Sequence, residues 1–257
     1  MWPFSKKIPV EKPGTKTVTT VICIPGKWAA WKDFILTLVE ATGGDFMVAG
    51  NIVVHAKKQR HYAIEFCERD ERLQDSFRVA GSVTPVSGSF LSEIGNHQQV
   101  IYISGKTGNL RETENIALAA AAVLKAGGLG IKIETTGKAF EQGQWFDLLE
   151  DFHEANLYKM FVLDSIVTED GAVYSCGMHN LGLRDTIVSG EEVEQAINII
   201  RTFGYYQIVD KPAIMNNQTF QAAINSQVYR ITDEPNQPNK GHGLFENPYG
   251  MWRLTKE

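Results

Sequence analysis

A histidine, an arginine and an aspartate lie close together in the stretch "CGMHNLGLRDTIVSGEE". His179 has the side chain of a general base, Asp185 could orient its imidazole ring, and Arg184 could hold an anionic group of a substrate. The thiol nearest to them is that of Cys176. Because the spacing of histidine and aspartate matches no catalytic motif, an enzyme with a pocket around these residues is only our second hypothesis.

The same stretch has a simpler interpretation as the connection between a strand and a helix. The arginine and the aspartate can fix such a connection through local hydrogen bonds and ion pairs. Ser189 and Glu192 have the Ser-x-x-Glu spacing of a capping box, which predicts a helix over residues 190–203 that ends at Gly204. We therefore predict structural roles for Asp185, Ser189 and Glu192, and no catalytic residues.

Spacing supports no other kind of local site, although it leaves open a metal site assembled from distant parts of the chain. Gly26 and Lys27 precede a helix-like segment, but a phosphate loop needs a glycine where Val21 stands. The six histidines never have the spacing of a metal site, and the three cysteines lie far apart without a CxxC pair. The sequence therefore predicts neither a metal nor a cofactor.

Negative charge is concentrated in residues 141–170, which contain eight acidic residues and one lysine. Part of this segment, "WFDLLEDFHEANL", has an amphipathic pattern that predicts one helix over residues 145–157. A charge run is usually a solvated surface, and its functional interpretation is a binding surface for a basic protein. The carboxylates that we assign to partner binding are those of Asp147, Glu150, Asp151 and Glu154.

Alternating strand-like and helix-like patterns predict a mixed α/β chain of the α+β class, with helices packed on one face of its sheets. "TVTTVICIPG" and "QQVIYISGKTG" are typical of buried strands. Asn109 and Glu112 have capping spacing before an alanine-rich helix. We predict a flexible leader over residues 1–16 and two α/β subdomains, over residues 17–157 and 158–257.

Composition narrows the class of protein. The 257 residues are 43% hydrophobic and 21% charged, which is typical of folded domains. A net charge of −5 argues against general nucleic-acid binding, because such proteins usually carry excess basic charge. The chain has no apolar run of membrane-spanning length and no signal-peptide pattern. We predict a cytoplasmic protein that contacts neither nucleic acid nor membrane, and we include a homodimer among the partners considered.

Two segments resemble a bacterial family, the domain of unknown function 4261. They are "HQQVIYISGKTGNLRETENIALAAAAVLKAGGLGIKIETTGKAF" and "CGMHNLGLRDTIVSG". The first has a strand that begins with histidine, followed by an alanine-rich helix. The second has a glycine–hydrophobic pair, a Gly-Leu pair and an acid. The resemblance covers residues 20–230, and Arg184 stands where many members have proline or an acid.

This resemblance implies a function but no catalytic residues, since the family has none established. Some relatives accompany secreted bacterial toxins, including those of type VI secretion, and look like their cytosolic antidotes. The resemblance therefore implies an immunity protein that binds and neutralises a toxin. A nuclease toxin would suit the acidic segment, because its cleft must be basic to hold phosphates. A non-enzymatic immunity protein is our first hypothesis, and the enzyme is the alternative.

Overall fold

The computed structural model describes residues 18–257, so the predicted leader over residues 1–16 lies outside the described part of the chain. Within residues 18–257 the chain forms two β-sheets, seven α-helices and one short 3-10 helix. The strands are β1 (Val18–Gly26), β2 (Phe46–Ala49), β3 (Ile52–His55), β4 (Arg60–Glu68), β5 (Gln99–Thr107), β6 (Gly130–Ile133), β7 (Lys138–Glu141), β8 (Leu163–Val167), β9 (Val173–Cys176), β10 (Asp185–Val188), β11 (Thr219–Gln221), β12 (Val228–Asp233) and β13 (Met251–Lys256). The helices are α1 (Trp31–Ala41), α2 (Leu73–Ala80), α3 (Gly88–Gly95), α4 (Leu110–Lys125), α5 (Gln142–Glu150), α6 (Glu154–Phe161) and α7 (Val193–Val209), and the 3-10 helix is Met178–Leu181, which we call the 178–181 turn.

The first sheet has the strand order β2-β3-β4-β5-β1-β6-β7, and all its neighbouring strands are antiparallel. Helices α1, α4, α5 and α6 cover one face, where Ile22 and Ile24 of β1 lie in the largest core. Helices α2 and α3 cover part of the other face, where Cys23 and Val100 are also fully buried. The α+β class is confirmed. Our expectation of helices on one face is wrong for this sheet, because its central strands are apolar on both faces.

The second sheet has the order β11-β12-β13-β10-β9-β8. Strands β10 and β13 run parallel, and the other neighbouring strands are antiparallel. Helix α7 covers one face, with Phe203 packed against Val188 and Leu254 in a separate core. On the opposite face Phe245, from the segment between β12 and β13, packs on Tyr174 and its neighbours. Only one face of this sheet therefore carries a helix.

The predicted boundary between residues 157 and 158 falls inside α6. Leu157 and Phe161 of this helix belong to the largest core, which also receives Met178, Leu181 and Ile208 from the second half of the chain. All strands of the first sheet precede α6, and all strands of the second sheet follow it. The change of sheet thus takes place after α6, and the two halves share a core.

Helix α7 differs from the helix predicted over residues 190–203. It begins at Val193, and the N-cap residue Glu192 makes no side-chain capping bond. The hydroxyl of Ser189 instead accepts a hydrogen bond from Arg253 at 2.9 Å, so the predicted Ser-x-x-Glu capping box is wrong. Gly190 has a φ of 78°, which turns the chain and keeps Ser189 outside the helix.

The predicted end of this helix at Gly204 is also wrong, since α7 continues to Val209. Gly204 lies inside the helix, against the ring of Tyr158 in α6. A Cβ atom at this position would lie 2.3 Å from Cε2 of Tyr158. The glycine therefore permits the close packing of α6 and α7 and does not terminate the helix.

Helix capping can be tested at Asn109, where the structure has the predicted cap, and at Ser189, where it does not. Asn109 caps α4 as predicted, because its Oδ1 accepts the backbone N–H of Glu112 at 3.0 Å. We expect Asn109→Ala to lower the free energy of unfolding by about 1 kcal/mol, the usual loss for an N-cap. Ser189→Ala should change it by less than about 0.5 kcal/mol, since no helix N–H loses a partner. Urea unfolding of both variants measures the difference, and equal losses would contradict the observed start of α7.

Candidate functional site

The 178–181 turn connects β9 to β10 and lies against the first sheet. The glycines at its two ends have positive φ angles, 120° at Gly177 and 79° at Gly182. A Cβ atom on Gly177 would lie 2.1 Å from the carbonyl oxygen of Phe161. One on Gly182 would lie 2.2 Å from the carbonyl oxygen of Gly108. Both positions therefore need glycine for conformation and for close packing.

Asn180, within this turn, is fully buried and bonds to the first half of the chain. Its Oδ1 accepts hydrogen bonds from the hydroxyls of Thr20 at 2.5 Å and Thr135 at 3.3 Å. Its backbone oxygen accepts the N–H of Gly108 at 2.9 Å. Asn180 thus anchors the turn to the first sheet. Sequence analysis did not identify this residue, and the flanking glycines were the available signal.

Asp185 is fully buried at the start of β10. Its Oδ1 accepts hydrogen bonds from the Ser175 hydroxyl and the Met178 N–H, both at 3.1 Å. Its Oδ2 accepts from Nδ2 of Asn247 at 2.7 Å. Burial raises the pKa of Asp185 to about 7, and these donors act in the opposite direction. The carboxylate therefore organises the turn, and none of its bonds reaches the ring of His179.

Arg184 has partners on the second sheet. Its guanidinium carbon lies 4.0 Å from the centre of the Trp252 ring, and its Nη1 pairs with the carboxylate of Asp233. Stacking and ion pairing together hold the side chain at this place. The structure therefore gives Arg184 and Asp185 separate partners, and it does not join them with His179 into the arrangement that the enzyme hypothesis needs.

His179 is 3% exposed, and neither of its ring nitrogens has a hydrogen-bond partner among the described residues. It borders a cavity of about 650 Å³ between the start of β1 and the segment that contains Leu244 and Glu246. Burial lowers the pKa of His179 to about 4, because the charged imidazolium loses its hydration. The imidazole is therefore neutral at physiological pH, and no acid within residues 18–257 orients it as a base.

The buried histidine should make the protein sensitive to acid. The folded pKa of about 4 lies below the ordinary value of 6.5, so the unfolded chain binds a proton first as the pH falls. The contribution of His179 to stability is present above pH 6.5 and is lost between pH 6.5 and 4, by about 1.4 kcal/mol per pH unit. We expect His179→Phe to remove this loss. The difference in urea unfolding between variant and wild type across this range measures it, and parallel curves would contradict it.

The four predicted acidic residues do not lie on one helix. Asp147 and Glu150 belong to α5, Asp151 follows its last residue, and Glu154 begins α6. The single helix predicted over residues 145–157 is therefore wrong. Asp147, Glu150 and Asp151 are exposed and form no ion pair with any residue of 18–257. Glu154 is half-buried and pairs with Lys211 at 2.8 Å.

The corner between α5 and α6 is fixed by Asn156. Its buried side-chain amide donates hydrogen bonds to the backbone oxygens of Leu148 at 2.9 Å and Asp151 at 3.1 Å. Both acceptors are carbonyls at the end of α5, which its own backbone leaves unpaired. The amide thus explains why one amphipathic stretch breaks into two helices, and it holds the exposed carboxylates on a rigid corner.

A group of charged residues that sequence analysis missed lies between α6, α7 and β7. Asp164, 5% exposed, accepts hydrogen bonds from Nε of Arg201 at 2.8 Å, from its Nη2 at 3.2 Å, and from the Tyr158 hydroxyl at 3.2 Å. The buried Lys138 donates to the backbone oxygens of Val162, at 3.0 Å, and Lys159, at the end of α6. No short motif could have revealed this group, because its members come from separate strands and helices.

Within residues 18–257, no group of three or more His, Cys, Asp or Glu side chains could hold a metal ion. The cysteines Cys23, Cys67 and Cys176 carry free thiols. No helix in the described part of the chain has the length and apolar character needed to cross a bilayer.

Comparison with known proteins adds no further constraint on the site. No protein-family model matches the chain, and no curated protein or solved structure is significantly similar to it. The resemblance to the domain of unknown function 4261 therefore stays a prediction, carried by the sequence segments alone.

Proposed function

We propose that this protein is a cytoplasmic immunity protein that binds a bacterial protein toxin and neutralises it by covering its functional surface. The observation that carries the proposal is the rigid corner between α5 and α6. Asp147, Glu150 and Asp151 project there into solvent without a cationic partner within residues 18–257. Carboxylates that form no ion pair within their own protein are free to pair with lysine and arginine side chains of another protein.

The partner that fits this corner is a basic protein. Opposite charges on two proteins raise the rate of encounter, and the effect falls with ionic strength. An enzyme that cuts nucleic acid presents such a basic surface, because its cleft holds phosphates. A nuclease toxin is therefore the partner class that we favour, and occlusion of its cleft is the mode of inhibition.

The turn that motivated the enzyme hypothesis supports a binding role. Asp185 and Arg184 are engaged in the structure of the turn and the second sheet. Catalysis by His179 would need a base with an orienting partner, and neither ring nitrogen has one among the described residues. Free thiols at Cys23, Cys67 and Cys176 suit the reducing cytoplasm in which an antidote to a secreted toxin would act.

Charge reversal at the corner should slow association with the partner. We expect Asp147→Lys, Glu150→Lys and Asp151→Lys together to lower the association rate by roughly tenfold or more at low salt. The partner is first captured from the native host with the wild-type protein. Association rates of wild type and variant are then measured by surface plasmon resonance at several salt concentrations, and the wild-type rate should fall as salt rises.

A matched control separates local charge from net charge. Glu40→Lys, Glu71→Lys and Glu93→Lys change the net charge equally at exposed positions elsewhere. This control should bind nearly as fast as wild type. If both triple variants slow association equally, only net charge matters and the corner is not the interface. If neither does, or if the captured protein is acidic, the proposal is wrong.

A further inference from the structure

A cavity of about 530 Å³ lies between β7, α6 and α7, beside the acidic corner. This volume is in the range of sites for small organic ligands. The aromatic rings of Phe140, Tyr158 and Tyr205 line it, and those of Tyr158 and Tyr205 lie 4.8 Å apart. Flat apolar walls of this kind accept the body of a small aromatic or aliphatic molecule.

Hydrogen-bond donors remain unused in this cavity. Arg201 donates to Asp164 through Nε and Nη2, and its Nη1 has no acceptor among the described residues. The ammonium group of Lys138 has three hydrogens and makes two hydrogen bonds, both to backbone oxygens. Both side chains line the cavity, so each can donate to a ligand without losing its present partners.

The charge inside the cavity is opposite to that of the whole protein. Three cations, Lys138, Lys159 and Arg201, line it, against the two carboxylates of Asp147 and Asp164. The excess is one positive charge, in a chain whose net charge is −5. Lys138 is 6% exposed, and burial lowers its pKa to about 8. Two backbone oxygens and the charge of Asp164 offset part of the hydration that this ammonium group loses, and a bound anion would offset more.

We propose that this cavity binds a small organic anion, with a carboxylate or phosphate group held by Arg201 and Lys138 and an apolar body held against Tyr158 and Tyr205. The proposal does not depend on the immunity function. The partner surface is the exposed corner, of which only Asp147 also borders the cavity, whereas the ligand is held inside it by Arg201 and Lys138. The two proposals can therefore fail separately.

Binding of simple probes tests the proposal. Isothermal titration calorimetry is carried out with benzoate, phenyl phosphate, inorganic phosphate and the neutral amide benzamide. We expect at least one of the two aromatic anions to bind roughly tenfold or more tightly than benzamide, because the amide lacks the charge. Benzoate and phenyl phosphate differ only in the anionic group, so their ranking identifies it. Inorganic phosphate should bind more weakly, since it has no apolar body.

Two variants locate the site. Arg201→Gln removes the free donor, and Thr84→Trp adds a large side chain to the cavity lining while it keeps every charge. Each should weaken binding of the better aromatic anion by roughly tenfold or more. Arg230→Gln is the matched control, because Arg230 is an arginine of similar exposure, 45% against 43% for Arg201, and also pairs with a carboxylate. It should leave the affinity unchanged.

Three results would overturn the proposal. The first is no binding of either aromatic anion at about 10 mM, a concentration that reveals even weak sites. The second is equal affinity for benzamide, which would indicate an apolar pocket without anion selectivity. The third is undiminished binding by Thr84→Trp, which decides the question even if Arg201→Gln fails to fold.

Discussion

Gly177→Ala should lower the free energy of unfolding by about 4 kcal/mol or more. Two effects add at this position. The φ of 120° is unfavourable for any residue with a side chain. The new Cβ would also lie 2.1 Å from the carbonyl oxygen of Phe161, which belongs to a helix packed in the core and cannot move away cheaply. The variant should unfold in urea well before the wild type.

A second glycine separates the two effects. Gly171 has a φ of 82°, but a Cβ there would meet no atom within 4 Å. Gly171→Ala should therefore show conformational strain alone, about 1 kcal/mol. If the two variants lose equal stability, the close approach of Gly177 to Phe161 contributes nothing. The fixed position of the 178–181 turn would then need another cause.

Asp185→Ala should lower the free energy of unfolding by about 3 kcal/mol. The substitution leaves the Ser175 hydroxyl, the Met178 N–H and one hydrogen of the Asn247 amide without an acceptor, while the other amide hydrogen keeps the Leu183 backbone oxygen; each orphaned donor costs about 1 kcal/mol or more. These donors cannot easily turn elsewhere. The Ser175 oxygen already accepts the Thr186 N–H at 2.9 Å, which directs its hydrogen toward Asp185.

The amide variant Asp185→Asn is the sharper test of this arrangement. It preserves shape but replaces one acceptor oxygen by an NH₂ group that would face donors. A loss of stability close to that of Asp185→Ala is expected if the acceptors matter. Full stability of Asp185→Asn would show that the site needs only a polar group of this size. Urea unfolding well above the folded pKa of about 7, where the wild-type carboxyl is ionised, measures both variants.

The pH dependence of Asp185 has the opposite sign to that of His179. Its folded pKa of about 7 lies above the ordinary value of 3.8, so the folded state binds the proton more tightly. This group's contribution is therefore greatest below pH 3.8 and declines as the pH rises to about 7. The wild-type profile contains both opposing contributions. The effect of His179→Phe must accordingly be measured as the difference in free energy of unfolding between variant and wild type at each pH. In a variant that lacks one of the two groups, the pH dependence of stability is that of the remaining group.

Sequence patterns were most accurate for the strands and helices whose signals lie within a few neighbouring residues. Strands β1 and β5 have long β-branched runs, and Asn109 caps α4 through a residue only three positions away. The pair at Ser189 and Glu192 had the same spacing yet caps nothing, because Gly190 turns the chain between them. The short helices α2 and α3 were not predicted. Eight residues each give too few repeats for a clear helical period.

The residues of each site come from distant parts of the chain, which explains why sequence patterns did not reveal all of them. Asn180 finds one partner on β1, 160 positions earlier, and another on the turn after β6, 45 positions earlier. Arg201 and Asp164 meet across 37 positions. The exposed carboxylates at Asp147 and Glu150 were identifiable, because a charge run is visible without a fold. The end of helix α5 at Glu150 was not identifiable from sequence, because the buried amide of Asn156 causes it.

Synthesis of this chain leaves its first half unfinished for as long as the second is still on the ribosome. In the nascent first sheet the Thr20 hydroxyl can still pair with that of Thr107, but the acceptor that Thr20 and Thr135 share is missing until Asn180 has emerged. The core positions that the side chains of Met178, Leu181 and Ile208 fill in the native protein also stay exposed to water. Such an exposed apolar surface is prone to aggregation and to binding by chaperones. A truncated product that stops after the first sheet would therefore keep this core open, and the native fold is complete only when β13, which pairs with β10, has also been made.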